Sequence, residues 1–280
     1  MSERNDELAI RRILVALDAS YHSLAALEAA AEIAASLEAE LEGLFVEDVN
    51  LLRAAGSPVA REVRYPFDAV ARLDQARMER ALRAQAAQAR RAIATACEQR
   101  QIKWSFRVVR GEVAGEVLAA ATEADLLSLG KASRPLIRKV RLGSTARAAA
   151  VQGPHCVLVL QRDVHIKAPV TVTYDGSPTA RQALALAARL ARKVGGYLDV
   201  LLLANRTEEM SRLRAEISAA LRGRGQMAQY RQLTEARATT LTQAVRAERS
   251  GVLVLSSTIL QPEALQALLS DVDCPVLVVR

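Results

Sequence analysis

The chain has 280 residues, 51% hydrophobic and 25% charged, which excludes a disordered polymer and supplies material for about two domains. Its formal charge is +7, so acidic ligands such as nucleotides fit the balance. Aromatics are only 3%, which leaves few stacking platforms for single strands and disfavours nucleic acid as a partner.

Residues 1–11 read as a polar tail, unlike a signal peptide. Residues 12–17 (RILVAL) are continuously apolar, the pattern of a strand buried on both faces in a parallel sheet. The run ends in Asp18-Ala19-Ser20. Ser23 can then cap a helix on which Leu24, Leu27, Ala31, Ala34 and Leu37 share a face. A strand near 41–46 completes a right-handed βαβ unit. Residues 50–66, with Gly56, Pro58 and Pro66, read as loop. From 68 to 99 Ala, Arg, Gln and Leu dominate, and Met78, Leu82, Ala86, Ala89, Ile93 and Cys97 form one apolar stripe. A helix of that length spans about 45 Å. A crossover needs less, so part of it is expected to overhang the sheet, bend or pack on the other half of the protein. Its arginines read as a solvated face.

Residues 104–109 form a third strand leading to Arg110-Gly111, 113–121 a helix, and 126–129 a fourth strand. Glu123 and Asp125 read as caps of the preceding helix end. The stretch LLSLGKASRPLIRKVRLGST then carries Lys131, Arg134, Arg138, Lys139 and Arg141 without an acid. It ends at Gly143-Ser144-Thr145, just before an alanine-rich helix. A strand, a glycine turn and a helix N-terminus together make an anion site, because open N–H groups and the helix dipole point the same way. A solvated basic loop with an ordinary helix cap explains the same residues, and both readings stay open. Residues 156–160 supply a fifth strand, and 161–169 a polar connector.

The pattern then restarts. Residues 170–174 form a strand ending in Asp175-Gly176-Ser177, and Pro178 opens a helix that stops at Gly195-Gly196. Strands near 197–203, 229–233, 252–255 and 275–279 alternate with helices near 208–221, 240–248 and 262–269. RILVALDAS pairs with VTVTYDGS, and HCVLVL with DCPVLVVR. The second copy is shorter, partly by the Arg-rich helix and partly by the basic loop. There it reads SSTILQPEALQ, with no glycine and no cation. One copy is therefore read as ligand-capable and the other as structural.

Three cysteines, Cys97, Cys156 and Cys274, form no CxxC pair, and only His22, His155 and His165 accompany them. That argues against a metal site and for buried thiols in a reducing cytoplasm. His22 reads as a surface residue of the first helix. No run approaches the roughly 18 apolar residues needed to span a membrane.

The strand-end Asp18, Val109-x-Gly111, a loop close to GxxGx9G[ST] and the closing strand with its cysteine resemble the universal stress protein family, with two such domains in one chain. The resemblance covers nearly the whole chain and is thinnest over 47–100 and 204–250. It implies an α/β chain of two doubly wound five-stranded parallel sheets in tandem, adenine nucleotide alpha hydrolase-like, in the order 3-2-1-4-5. Residues 1–163 would carry the Arg-rich helical insertion and the phosphate-type loop, and residues 168–280 a shorter, degenerate copy. Many members of the family bind ATP or AMP at the carboxyl ends of the strands. By that resemblance Asp18 lies on the adenine side, Val109 and Gly111 near the ribose, and Gly130, Ser133, Gly143, Ser144 and Thr145 around the phosphates, with Mg accompanying ATP. Ser133 stands where the family has its second loop glycine.

The implied function is a cytoplasmic nucleotide-binding protein of stress response or regulation. The alternative is a protein-interaction module that binds no nucleotide and presents the Arg-rich helix and residues 50–66 to an unknown protein partner. No nucleophile sits with a paired base, so no enzyme is expected, a slow ATPase being a third reading that rests on the basic loop alone. The halves are expected to pack about a pseudo-two-fold axis through their apolar closing strands, as a pseudo-dimer within one chain. Further homodimerisation is left open.

Overall fold

A computed structural model describes residues 9–57, 61–64, 69–72, 74–131, 142–160, 166–222 and 227–280. The first half opens with β1 (Arg12–Ala16), α1 (Tyr21–Leu37) and β2 (Glu40–Asp48). There follow α2 (Val49–Gly56), a hairpin of β3 (Arg61–Arg64) and β4 (Ala69–Arg72), and α3 (Gln75–Glu98). The half is completed by β5 (Trp104–Gly111), α4 (Val113–Ala121), β6 (Leu126–Gly130), α5 (Ser144–Gln152) and β7 (Cys156–Leu160). The second half runs β8 (Val170–Tyr174), α6 (Pro178–Lys193), β9 (Leu198–Leu203), α7 (Thr207–Leu221), β10 (Ala228–Leu233), α8 (Ala238–Ala247), β11 (Val252–Ser256), α9 (Pro262–Asp271) and β12 (Val276–Val279).

The main sheet has the order β10-β9-β8-β11-β12-β7-β6-β1-β2-β5. Each half keeps the expected 3-2-1-4-5 order with parallel neighbours. The two sheets are fused: β12 pairs antiparallel with β7, Val276 opposite Val159 and Val279 opposite Cys156. Every residue of both closing strands is buried. Left uncovered, such strands would be edges that template association, and each covers the other. Core side chains fill both faces of the sheet. This two-sided burial is why the inner strands read as unbroken apolar runs.

Several local expectations are corrected. Residues 50–66 are not simply loop, since they hold α2 and β3. Asp48 starts α2 by accepting the Asn50 N–H at 2.8 Å. The Arg-rich helix begins at Gln75 rather than at 68, because Asp74 takes the N-cap and accepts the N–H groups of Ala76 and Arg77. Its 24 residues span about 36 Å. The buried side lies against α1, α2, β2 and β5, all in the first half. Ser20, not Ser23, caps α1. His22 is buried rather than on the surface. Asp125 does not cap a helix end: its carboxylate accepts the N–H groups of Arg11 at 2.8 Å and Arg12 at 2.9 Å, pinning the start of β1 beside β6.

Candidate functional site

β1 ends in a tight turn with Ala19 in the left-handed region (φ 57°). The Asp18 carboxylate accepts the Ser20 N–H at 3.0 Å. The Ser23 hydroxyl donates to the Ser20 carbonyl at 3.0 Å and accepts the Asp18 N–H at 3.3 Å. These bonds fix where α1 leaves the sheet and hold Asp18 at the strand end.

Beside this turn lies a cleft of about 470 Å³ over the carboxyl ends of β1, β2 and β6. That volume falls within the range of small-molecule sites, and the position is the switch point of an open α/β sheet. Asp48 follows β2, Asp18 follows β1, Gly130 closes β6, and Thr145 belongs to the first turn of α5. Adjacent strands are about 4.8 Å apart, so the Asp48 end and the Gly130 end are separated by about 10 Å. Leu51 of α2 with Leu82 and Gln85 of α3 makes one wall, and Val113 and Val117 of α4 another. At α5 the N-cap is Gly143, and among the described residues no side chain caps the first turn. By contrast Ser20 caps α1, and Ser177 caps α6. A helix start without a side-chain cap keeps N–H donors open to an anion.

Residues 9–161, more than half of the chain, match the model of the Universal stress protein family. The chain belongs to the universal stress protein family. Solved structures similar over its whole length include a universal stress protein from Archaeoglobus fulgidus DSM 4304, at 16% identity over 98% of this chain and 99% of that one, TM-score 0.73. Another is a putative universal stress protein from Pseudomonas aeruginosa UCBPP-PA14, at 16% identity over 98% of this chain and 95% of that one, TM-score 0.60. At such identity the likeness concerns the fold alone. No curated protein sequence matches the chain.

In this universal stress protein Asp18, Gly130 and Thr145 line one cleft. Gly143 and Ser144 begin the helix that carries Thr145. Val109 and Gly111 lie on β5, one strand beyond β2 and opposite Val46 and Asp48, and they do not line the cleft. A Cβ at Gly111 would run into the Glu116 side chain. Ser133 lies outside the described residues, as do Arg134, Arg138, Lys139 and Arg141. Gly130 has a packing role as well: a Cβ there would come within 2.8 Å of the His22 backbone, so glycine lets α1 rest on the end of β6. Sequence reasoning missed Val46, Asp48, Leu51, Leu82 and Gln85. Reading the end of β2 as the end of β1 was read would have found Asp48.

Lys131 is corrected from loop cation to structural tie. Its side chain is buried, and the ammonium donates to the carbonyls of Ser270 at 2.8 Å and Val272 at 3.0 Å, at the end of α9 in the second half. Burial pushes its pKa down, partly opposed by Asp273 and Asp271. Its main chain still serves the cleft, since the Lys131 carbonyl accepts the Gly143 N–H at 2.8 Å.

The second half repeats the strand-end turn. Gly176 has φ 81°, and the Asp175 carboxylate accepts the Ser177 N–H at 2.9 Å. The space over that turn is taken up by side chains. Tyr174 is buried and donates to the Glu216 carboxylate at 2.6 Å, and Arg181 donates to the same oxygen at 2.6 Å. Leu213 of α7 packs so close that a Cβ on Gly176 would meet it at 2.8 Å.

Among the described residues no group of three His, Cys, Asp or Glu is placed to hold a metal ion. The three cysteines are unpaired, and burial pushes Cys97 up to about 11 and Cys156 up to about 12. Among the described residues no helix is long and apolar enough to cross a membrane.

Proposed function

We propose that the first half binds an adenine nucleotide, AMP or ATP, and that the second half is structural. The observation that carries this is the polarity of the cleft. Asp48 stands at the β2 end, Asp18 over the middle strand β1, and beyond β6 lies an α5 N-terminus that no side chain caps among the described residues. The carboxylates accept hydrogen bonds from amino and hydroxyl groups and repel phosphate, while the helix start favours phosphate. A ligand with a donor-rich head and an anionic tail therefore has one orientation. In this reading Arg134, Arg138, Lys139 and Arg141 supply countercharge, and Mg enters only with ATP. The protein acts in the cytoplasm as a stress-response or regulatory component whose partner contacts change with occupancy. Catalysis is not part of this reading.

Isothermal titration with AMP, and with ATP in the presence and absence of magnesium, tests it. One nucleotide per chain is expected. A ligand at a hundred times its dissociation constant adds about 2.7 kcal/mol of stability, visible as a raised melting temperature. No heat together with unchanged melting at millimolar nucleotide would sink the proposal. Exposed Arg80, Arg83, Arg90 and Arg91 on α3 favour a second reading, in which this face receives an acidic protein partner without any nucleotide.

A further inference from the structure

The cleft's floor comes from strand ends, but its outer wall comes from α2 and α3, the segment that joins β2 to β5. Among the described residues the second half has a single helix, α7, in that place, and its Leu213 and Glu216 crowd the strand-end turn. The wall is thus particular to the half with the cleft. Gln85 sits on it one turn after Leu82, so both side chains face the same way. Leu82, Ala86 and Ala89 are buried beneath, which fixes the helix that carries Gln85. The Gln85 amide makes no hydrogen bond with another described residue, and it lines the cleft from α3, which packs on β2 and α2, the elements on either side of Asp48.

Asp18 and Asp48 can only accept hydrogen bonds when ionised, whereas a primary amide presents one acceptor beside two donors. The edge of adenine presents an amino donor beside a ring-nitrogen acceptor, and a glutamine amide matches that pair with two bonds. Leu51 and Leu82 offer apolar surface against which a flat base can lie. We propose that Gln85 reads the base, making the inserted helix α3 the specificity element of the cleft. This rests on the nucleotide reading above, and it adds a residue outside the strand-end and loop positions.

The test uses the full chain. AMP binding is measured by titration, and uridine monophosphate binding by displacement of bound AMP, for the wild type and for Gln85→Leu. Far-UV spectra and melting confirm that the variant is folded, as expected for a half-buried surface of a long helix. The variant is expected to lose about tenfold in AMP affinity while uridine monophosphate changes little, so the preference narrows by a similar factor. Unchanged AMP affinity overturns the proposal. An equal loss for both nucleotides also overturns it, since that is the mark of a purely structural position. A wild type that binds no AMP removes the nucleotide reading itself, and this is seen before any variant is compared.

Discussion

Lys131 and Arg280 cross the junction of the halves in opposite directions. Lys131 donates to carbonyls at the end of α9, while Arg280 donates to the carbonyls of Ala149, Ala150 and Pro154 at the end of α5. Each places a cation at the negative end of a helix dipole and satisfies carbonyls that the helix leaves open. Lys131→Met keeps most of the side chain but leaves two carbonyls without that donor, at a cost of about 1–3 kcal/mol. A urea titration should show the midpoint falling with little change in slope, and an unchanged midpoint would refute the role. Nothing in the sequence marks this tie, because the Ser270 carbonyl is 139 residues away. Asp18, Gly130 and Thr145 were legible for the opposite reason. Strand ends and helix starts follow from chain order, and in an open parallel sheet those are the places where a cleft forms. Gln85 was not legible, since a glutamine on an Arg-rich helix looks like any solvated residue.

At the scale of elements, α4, β7 and β8 fall where apolar period and flanking breakers place them. The segment between β2 and α3 did not, because Gly56, Pro58 and Pro66 signal turns without saying what the turns connect. α7 shows how one element decides whether a half holds a cleft. It lies over the turn at Asp175 and is tied there by Glu216 to Tyr174 and Arg181. Burial pushes the Glu216 carboxyl up, but the hydrogen bonds from Tyr174 and Arg181 outweigh this and hold it below its ordinary value. A carboxyl lowered by folding stabilises fully above its unfolded pKa, and that contribution fades as pH falls through the folded value. The stability gap between wild type and Glu216→Gln should therefore be largest near about pH 6 and shrink toward about pH 3. Melting temperatures across that range check it, and a constant gap would place the tie elsewhere.

At the scale of the whole molecule the seam between β7 and β12 dominates. The facing residues are nearly alike on the two sides, with Val157 opposite Val278 and Leu158 opposite Leu277. A strand that accepts so similar a partner should also accept its own copy. The isolated segment of residues 9–160 is expected to self-associate through β7, and sedimentation at micromolar concentration would show a dimer or larger species. A strictly monomeric segment would mean that the seam needs more than strand complementarity. The repeat and the two sheets were readable from the sequence, since RILVALDAS and VTVTYDGS announce equivalent starts. Their fusion into ten strands was expected only as packing, because an apolar edge shows that cover is needed without showing the direction of pairing.

The seam also has a consequence in time. β12 is synthesised after the other described elements, and 119 residues (279 − 160) are added between the end of β7 and the end of β12. At about 5–20 residues per second, the ribosome takes on the order of ten seconds to make them. During that interval the first half has its own strands and helices available, yet its most apolar edge has no neighbour. The cover arrives only with β12, so crowding on the ribosome threatens the first half of the chain more than the half still being built.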